Sequence, residues 1–474
     1  MTTSPRLSRG LRDLLPDQML ARQQMIDTIR GVYENYGFVP LSTPAVEFLD
    51  VLSGSAGAEA QQSIFRVTNP EHEELGLRFD LTVPLARVIA QYSERELPRP
   101  FRRYQVAPVW RADKPDKGRY REFIQFDLDS VGVVSEIADT EIIAGMCDTL
   151  GALDVGGYLV RFSSRAVLNL LLAFAGISAE QGVDVFRVLD KLDKVGVEKV
   201  RRELMNGYVD ESGDTIRGVG LTSEQVDRIE QFLAIKSESR REVLTSLREL
   251  FAHVENAPAQ IDVIERISSN LYVLGYGDDR VSLDLSIARG LAYYTGPVFE
   301  AILTEAPQFG SVFGGGRYDD LVMRFLGQSI PAVGASIGVD RLLAALTQLG
   351  KIGKRKATAR VLVARMDESL EQEYLAMTWE LRRAGIPTEL YLGTAKGVGK
   401  QLKYADQYDI PLALLYGGNE HAEGIVTVKD MVAGRERAKP VADRKEYLAQ
   451  RAGQVTMPRA ELVDGIRRML AELE

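Results

Sequence analysis

The sequence predicts a multidomain protein of mixed α/β and α+β class, with an antiparallel-sheet core, a helical insertion and a C-terminal α/β domain. Three patterns predict this fold. Residues 101–132 alternate polar and apolar side chains beside a turn-rich loop, which is typical of an antiparallel hairpin. Residues 177–270 have helical periodicity and many charges, and from residue 361 short apolar strands alternate with helices. The 474 residues are enough for about three domains.

The composition, with 45% hydrophobic and 26% charged residues, is typical of a soluble globular protein. No apolar run approaches the roughly 18 residues of a membrane span, and the N-terminus lacks a signal-peptide core, so we expect no membrane partner. A net charge of −9 argues against non-specific coating of nucleic acid. It does not argue against a specific nucleic-acid partner, because such a partner needs only local basic patches on the protein surface.

Cysteine and histidine are scarce. The single cysteine, Cys147, excludes an internal disulfide and fits a reducing, cytoplasmic compartment; its apolar helical surroundings predict a buried, inert thiol. His72, His253 and His421 do not suffice for a metal site built from His and Cys, and none has the context of a Ser-His-Asp triad. We therefore expect surface or capping histidines, and catalysis by Arg, Asp, Glu, Gln, Tyr and a ligand-borne Mg²⁺.

The N-terminal elements are predicted as a helix at 16–36, an extended and Pro-punctuated stretch with a short helix at 37–52, and a strand followed by a helix at 75–92. In that strand Arg78, Asp80 and Thr82 alternate with apolar residues, so it has a polar face. Thr82 is open to a second interpretation, as a simple cap of the helix.

The hairpin of residues 101–132 is predicted to pair a strand at 104–111 with a strand from residue 119 to 129. Its even positions are mostly apolar, and its odd positions carry charges, an amide and a ring: Arg119, Arg121, Phe123, Gln125, Asp127 and Asp129. Such a face turns to water in many antiparallel sheets. It also suits a nucleotide beside a small zwitterion, because guanidinium groups bind phosphates, carboxylates bind ammonium groups and a ring stacks on a base.

Further helices are predicted at 137–150 and 164–175, a strand at 158–162, and an insertion at 177–270 whose charges form pairs four residues apart on solvated faces. Strands resume at 280–287 and 298–303, on either side of a bend with Arg289 and two tyrosines. The glycines at 314–316 permit close approach of a ligand or a tight strand-to-helix turn. Arg341, in a later helix, is either a phosphate ligand or a solvated charge.

A basic stretch at 351–360 precedes the last domain, which has predicted strands at 361–364, 388–392, 412–416 and 425–428 and helices near 370–384, 398–407 and 459–473. This alternation favours a sheet covered on both faces. Residues 393–401 resemble a P-loop, but the glycine spacing is one residue too long and Gln401 replaces the Ser or Thr that binds Mg²⁺. We expect a basic loop that leads into a helix.

The pieces together resemble the three motifs of class II aminoacyl-tRNA synthetases: Pro44 in STPAVEF, residues 111–129 of the hairpin, and GVDR at 338–341. ARGLAYYTG at 288–296 and GGGRYDDLV at 314–322 resemble the two signatures of the histidyl-tRNA synthetase family, and the opening RGLRDLLP at 9–16 also fits. The resemblance implies a class II antiparallel-sheet catalytic core at 1–346, an insertion at 177–270, a linker at 347–358 and an anticodon-binding domain at 359–474.

The resemblance also implies the reaction and the site. It implies ATP-dependent ligation of L-histidine to tRNA(His) through histidyl-adenylate, by a cytoplasmic homodimer with ATP as substrate and Mg²⁺. Catalysis is assigned to Arg289 and Arg111. Histidine binding is assigned to Asp80, Leu81, Thr82, Arg111, Gln125, Asp129, Arg289, Tyr293 and Tyr294. ATP binding is assigned to Arg111, Asp113, Arg119, Phe123 and Arg341.

One alternative is a non-catalytic paralogue of the synthetases, the regulatory subunit of ATP phosphoribosyltransferase. That subunit lacks the C-terminal domain and has degenerate histidine signatures. This chain keeps Arg289, Tyr293 and Tyr294 together with a C-terminal α/β domain, which favours the enzyme.

Overall fold

The computed structural model describes residues 3–54, 63–116, 118–210, 213–287, 294–352, 355–394, 397–433 and 453–473. The chain forms two compact units, Met1–Arg12 with Gln24–Ile352 and Asp13–Gln23 with Gly353–Glu474. Among the described helices none is by itself long and apolar enough to cross a membrane. Of the described helices, the bent pair Arg165–Ala175 and Ala179–Leu189 passes that test when the two are taken together. It does so by length and composition alone.

Up to the hairpin, the described elements are α1 (Pro16–Asn35), β1 (Val39–Pro40), β2 (Val46–Phe48), α2 (Leu49–Ser53), β3 (Arg66–Val67), β4 (Leu75–Leu77), α3 (Thr82–Gln91), β5 (Phe101–Trp110) and β6 (Glu122–Val131). The next are α4 (Glu136–Ala152), β7 (Tyr158–Ser164), α5 (Arg165–Ala175), α6 (Ala179–Leu189), α7 (Leu192–Val195), α8 (Val197–Leu204), β8 (Gly207–Val209), β9 (Thr215–Arg217), α9 (Ser223–Leu233), α10 (Arg240–Leu250) and α11 (Ala257–Val273). The first unit ends with β10 (Val281–Leu283), β11 (Pro297–Leu303), β12 (Ser311–Arg317), α12 (Met323–Leu326), β13 (Ala332–Gly338) and α13 (Val339–Gln348).

An eight-stranded sheet organises the first unit, in the order β1-β5-β6-β13-β12-β11-β7-β10. From β5 to β7 in this order, each strand pairs antiparallel with its neighbours. At the two edges, β1 pairs parallel with β5 and β10 pairs parallel with β7. Helix α4 packs on β11, β12 and β13. It is apolar on most of its surface and therefore buried, and Cys147 within it is 1% exposed. Burial raises the pKa of that thiol to about 12, as expected for an inert cysteine.

The predicted hairpin is present, and β5 begins three residues earlier than the alternation indicated. Its register places Arg103 opposite Asp129. The polar face of β6 does not turn to water, since Gln125, Asp127 and Asp129 are all buried. The solvated interpretation of this face is therefore wrong for these three residues.

The glycine run is a strand and not a turn. Residues 314–316 lie inside β12, and the first described helix after them, α12, begins only at Met323. A Cβ atom at Gly315 would lie 2.1 Å from the carbonyl oxygen of Gly334 on β13, and one at Gly316 would lie 2.7 Å from the carbonyl oxygen of Pro297 on β11. Glycine is required because the neighbouring strands approach too closely for a side chain.

The insertion is helical as predicted, from α6 to α11, and also contains the short antiparallel pair of β8 and β9. Strands of three residues leave too little alternation to be recognised in sequence. The predicted strand at 280–287 is shorter, since only Val281–Leu283 pairs with β7. Leu285 and Ile287 are buried without strand pairing, so their alternation reflects burial alone.

The second unit contains β14 (Val361–Val363), α14 (Glu371–Arg383), β15 (Thr388–Leu390), α15 (Val398–Gln407), β16 (Leu412–Leu415), α16 (Gly418–Glu423), β17 (Ile425–Asp430), β18 (Gln454–Pro458) and α17 (Leu462–Ala471). Its sheet has the order β15-β14-β16-β17-β18. Alternate residues of β14 face opposite cores, one formed with α14 and α17 and one with α15. The sheet is thus covered on both faces, as predicted. Gln401 is buried and bonds both backbone groups of Arg365 (2.8 and 2.7 Å), so it has a structural role.

Candidate active site

A cavity of about 450 Å³ in the first unit collects most of the predicted site residues. Those that line it are Asp80, Thr82, Arg111, Asp113, Arg119, Phe123, Gln125, Tyr294 and Arg341. Leu81 and Asp129 are buried and are not among the lining residues. Arg289 and Tyr293 lie outside the described residues. The residues brought together come from the segment after β4 and the start of α3, the β5–β6 hairpin, the segment before β11 and helix α13.

Asp80 lies in the segment between β4 and α3, and Thr82 is the first residue of α3. Asp80 accepts a hydrogen bond from the Val83 amide (3.1 Å) at the start of α3, so its carboxylate satisfies one of the free donors of that helix. Thr82 is not the cap, because the residue before the helix is Leu81. Burial raises the pKa of Asp80, opposed by the Val83 hydrogen bond and by Arg111.

Arg111 follows β5 directly and connects two parts of the cavity. Its Nε donates to the Phe79 carbonyl oxygen (2.9 Å), next to Asp80. Its guanidinium carbon lies 5.3 Å from the centre of the Phe123 ring on β6. The Arg111 charge therefore lies between a carboxylate and an aromatic face.

Asp113 and Arg119 face each other across the hairpin loop as an ion pair, with Nη2 2.5 Å from Oδ2. Asp113 also accepts from the Ser63 hydroxyl (2.8 Å). Burial opposes ionisation of Asp113, but the hydrogen bonds from Ser63 and Arg119 outweigh it and lower its pKa. Arg119 is half exposed, so its pairing with Asp113 is weak and a ligand phosphate can compete for it.

Helix α13 presents Arg341 to the cavity, where its Nη1 donates to the Ser311 carbonyl oxygen (2.7 Å). The preceding residue, Asp340, is buried and accepts from the Ile124 amide (2.6 Å) and from Arg12 (2.8 Å). The Arg12 guanidinium lies 3.6 Å from the centre of the Tyr120 ring. One carboxylate thus joins α13, β6 and the N-terminal segment.

A buried charge network lies beside the end of the cavity that contains Asp80 and Thr82. Arg103 is fully buried, and its Nη2 lies 2.8 Å from Asp129, 3.8 Å from Asp127 and 3.1 Å from the Leu81 carbonyl oxygen. Asp129 also accepts a hydrogen bond from the Tyr318 hydroxyl. Burial raises the pKa of both carboxyl groups, against the opposing charge of Arg103; for Asp127 it reaches about 7, and the Asp129 charge contributes to that rise.

The arrangement suits a ligand with a cationic end and an anionic end. Carboxylate, hydroxyl and amide groups from Asp80, Thr82 and Gln125 can bind an ammonium group, whereas three guanidinium groups can bind phosphates. In the described parts of the chain, no group of three or more His, Cys, Asp or Glu side chains could hold a metal ion.

Two protein-family profiles match this chain. The family profile described as "Histidyl-tRNA synthetase" matches residues 10–342. The chain belongs to the histidyl-tRNA synthetase family. A second profile, described as "Anticodon binding domain", matches residues 359–469.

Individual members of the synthetase family agree over the whole length. The chain is 43% identical over 484 residues to a protein named "Histidine--tRNA ligase" from Cereibacter sphaeroides, covering 98% of this chain and 97% of that one. It is similar to the crystal structure of histidyl-tRNA synthetase from Nostoc sp. PCC 7120, with 31% identity, a TM-score of 0.82 and coverage of 99% and 100%. A structure titled ATP phosphoribosyltransferase regulatory subunit/histidyl-tRNA synthetase, from Bacillus halodurans C, has a TM-score of 0.70 at 20% identity and covers 85% of this chain and 97% of that one; it shows the fold alone.

Sequence reasoning about the synthetase site missed Arg103, Tyr318, Asp340 and Arg12. Arg103 had a usable signal, since it is a charged residue within a strand that pairs directly opposite Asp129. The pairing of Arg12 with Asp340 had none, because it joins the two ends of the catalytic unit and depends on the finished fold.

Proposed function

We propose that this chain is a histidine–tRNA ligase that acts in two steps. A carboxylate oxygen of L-histidine attacks the α-phosphorus of ATP and displaces diphosphate, which gives histidyl-adenylate. A terminal ribose hydroxyl of tRNA(His) then attacks the carbonyl carbon and releases AMP. The observation that carries the proposal is the place of Arg111, which touches the backbone beside Asp80 and lies over Phe123 within one cavity.

The amino-acid half of the site is proposed as follows. Asp80, Thr82 and Gln125 hold the α-ammonium group, and the Leu81 backbone positions the first two. Asp129 and Tyr294 flank the imidazole, with Tyr293 alongside. In support, Tyr294 lines the cavity and packs on the cluster that contains Tyr318, which donates to Asp129. A site that hydrogen-bonds the imidazole rejects other amino acids because its buried polar groups would be left unpaired.

The nucleotide half is proposed around the guanidinium groups. Arg111 holds the α-phosphate, Arg119 and Arg341 the outer phosphates, and Phe123 stacks on adenine. Asp113 contacts the base or orders the hairpin loop, in line with its bonds to Ser63 and Arg119. ATP enters with Mg²⁺ as part of the substrate, and its phosphate oxygens would hold that ion.

This chain has little covalent chemistry to perform in the first step. The histidine carboxylate is already a nucleophile, so no protein base is required. The barrier lies in bringing two anions together and in the charge that develops at the phosphorus. Arg111 and Arg289, which we propose as the catalytic residues, would orient both anions and balance that charge.

For the second step we propose that residues 359–474 bind the tRNA anticodon, supported by the profile match at 359–469. We also propose a cytoplasmic homodimer, as the family resemblance implies. The regulatory-subunit alternative finds no such support. The relatives of similar length bear the name of the ligase, and the structure with the regulatory title shares 20% identity.

The proposal is tested by histidine-dependent exchange of radioactive diphosphate into ATP, measured against all twenty amino acids. We expect exchange with histidine and not with the others. Charging of tRNA(His) by the same preparation tests the second step. Absence of exchange with every amino acid would favour the regulatory alternative, and exchange with another amino acid would overturn the histidine assignment.

A further inference from the structure

The buried Arg103 network connects two segments that the amino-acid pocket needs at a fixed separation. One guanidinium nitrogen, Nη2, lies 2.8 Å from the Asp129 carboxylate on β6 and 3.1 Å from the carbonyl oxygen of Leu81. Leu81 stands between Asp80 and Thr82, and both of these line the cavity. Arg103 itself is 0% exposed and is absent from the residues that line the cavity.

A buried arginine at this position is not required by the packing of the sheet. Burial of a guanidinium group and two carboxylates is costly, and well-packed apolar residues of similar volume are often equally stable. The network therefore calls for another explanation than stability. Its second carboxylate, Asp127, lies 3.8 Å from the same nitrogen and adds a negative charge beside Asp129.

We propose that Arg103 is a positioning residue for histidine recognition, which holds the imidazole-binding carboxylate Asp129 in register with the ammonium-binding segment 80–82. This inference rests on the proposed function. Asp129 is then held at both oxygen atoms, by Arg103 and by Tyr318, and cannot rotate away from the ligand. Asp127 compensates the buried guanidinium charge and has no direct part in histidine binding.

Arg103→Met tests this role through the two substrates separately. The Michaelis constant for histidine in diphosphate exchange should rise on the order of tenfold or more, because both contacts are lost. The constant for ATP should stay within about threefold, because the nucleotide half does not touch Arg103. Arg102→Met is the matched control: Arg102 is the adjacent residue, pairs with Glu141 on α4 (3.0 Å) and should leave both constants unchanged.

A double variant separates positioning from stability. Arg103→Met leaves two buried carboxylates without their cation, and Asp127→Asn removes one of those charges. The double variant should therefore recover part of the lost thermal stability while its Michaelis constant for histidine stays high. Recovery of both together would overturn the proposal, since the role of Arg103 would then be structural.

If Arg103→Met does not fold, Arg103→Lys tests the positioning role instead. Lysine keeps the charge but has a single nitrogen on a shorter reach, so it cannot make both contacts. We expect a rise of about threefold to tenfold in the histidine constant alone. In a folded Arg103→Met or Arg103→Lys variant, a histidine constant within twofold of wild type, or equal changes for both substrates, would overturn the inference.

The proposed function and this inference fail in different ways. Lack of histidine-dependent exchange in the wild-type protein would overturn the function. Even then, titration calorimetry with histidine alone would test whether Arg103 positions the histidine-binding residues. Binding that is weaker in Arg103→Met than in Arg102→Met supports the positioning role, and equal binding rejects it.

Discussion

Arg12 and Asp340 stand 328 positions apart in the sequence and form an ion pair, with Nη2 2.8 Å from Oδ1. The other oxygen of Asp340 accepts the Ile124 amide at 2.6 Å, one residue after the Phe123 ring. Arg341, the next residue after Asp340, lines the cavity. The N-terminal segment thereby fixes the hairpin and helix α13 relative to each other, and both of them line the cavity at the proposed nucleotide half.

Replacing Arg12 tests this connection. Arg12→Met leaves the Asp340 carboxylate, which is 3% exposed, without its cation. We expect a loss of about 2 kcal/mol in the free energy of unfolding, measured in urea. Arg66→Met removes an exposed surface pair with Glu74 (3.7 Å) and should cost less than about 0.5 kcal/mol. Equal losses in the two variants would mean that the Arg12 contact is no more than a surface pair.

Gly334 is expected to tolerate no side chain. Its Cβ would lie 1.9 Å from Oδ1 of Asp129 and 2.7 Å from the Leu128 carbonyl oxygen, so Gly334→Ala must displace that carboxylate or the strand. We expect a loss of roughly 1–3 kcal/mol in unfolding free energy and weaker histidine binding in calorimetry. Gly338→Ala, on the same strand, is the stability control, because its Cβ would meet nothing closer than 3.7 Å. A stable Gly334→Ala variant with normal histidine binding would contradict the assignment of Asp129.

Arg341→Met should affect the Michaelis constant for ATP more than that for histidine, the opposite of the effect expected for Arg103→Met. We expect the Michaelis constant for ATP in diphosphate exchange to rise on the order of tenfold, since a phosphate contact is lost, with a smaller change for histidine. Arg187→Met, which removes an exposed pair with Asp184 on α6, is the control. A larger effect on histidine than on ATP would remove Arg341 from the phosphate site.

The pH dependence of stability should report on Asp127, which faces Arg103, Asp129, Asp80 and Ser336. A carboxyl group with a higher pKa in the folded than in the unfolded state holds its proton longer in the folded protein. Its contribution to stability is therefore lost as the pH rises from about 4, the ordinary value, to about 7. Asp127→Asn removes this contribution. The unfolding free energy of the variant minus that of wild type should increase over this window, and a constant difference would show that the pKa of Asp127 is not raised.

Much of the fold follows from the sequence because its patterns are local. The alternation in β6 predicted the hairpin, and the strand and helix pattern after residue 361 predicted a sheet covered on both faces. For the glycines of β12 the turn interpretation was wrong, because at Gly315 and Gly316 the close approach of β11 and β13, which are distant in the sequence, requires glycine. The burial of Asp127 and Asp129 was hidden for the same reason, since Arg103 and Tyr318, which contact these carboxylates, come from other parts of the chain.

That several of the predicted site residues lie close together could be inferred from the sequence, but not the contacts that hold them in place. Arg111, Phe123 and Gln125 are adjacent on one hairpin, so their proximity follows from strand geometry. The contacts of Arg103 with Leu81 and of Tyr318 with Asp129 join segments 22 and 189 positions apart and require the assembled sheet.

The glycines of β12 also limit how this cavity can change. Gly314 and Gly315 give it a lining of bare main chain, and at Gly315 a larger residue would collide with β13. A substitution at Gly315 therefore cannot change the size or the charge of the cavity without disrupting the sheet. Any adaptation to a substrate of different size or charge must then come from other lining residues, such as Tyr294, Ser336 or Gly314, where a Cβ atom would meet nothing closer than 3.6 Å.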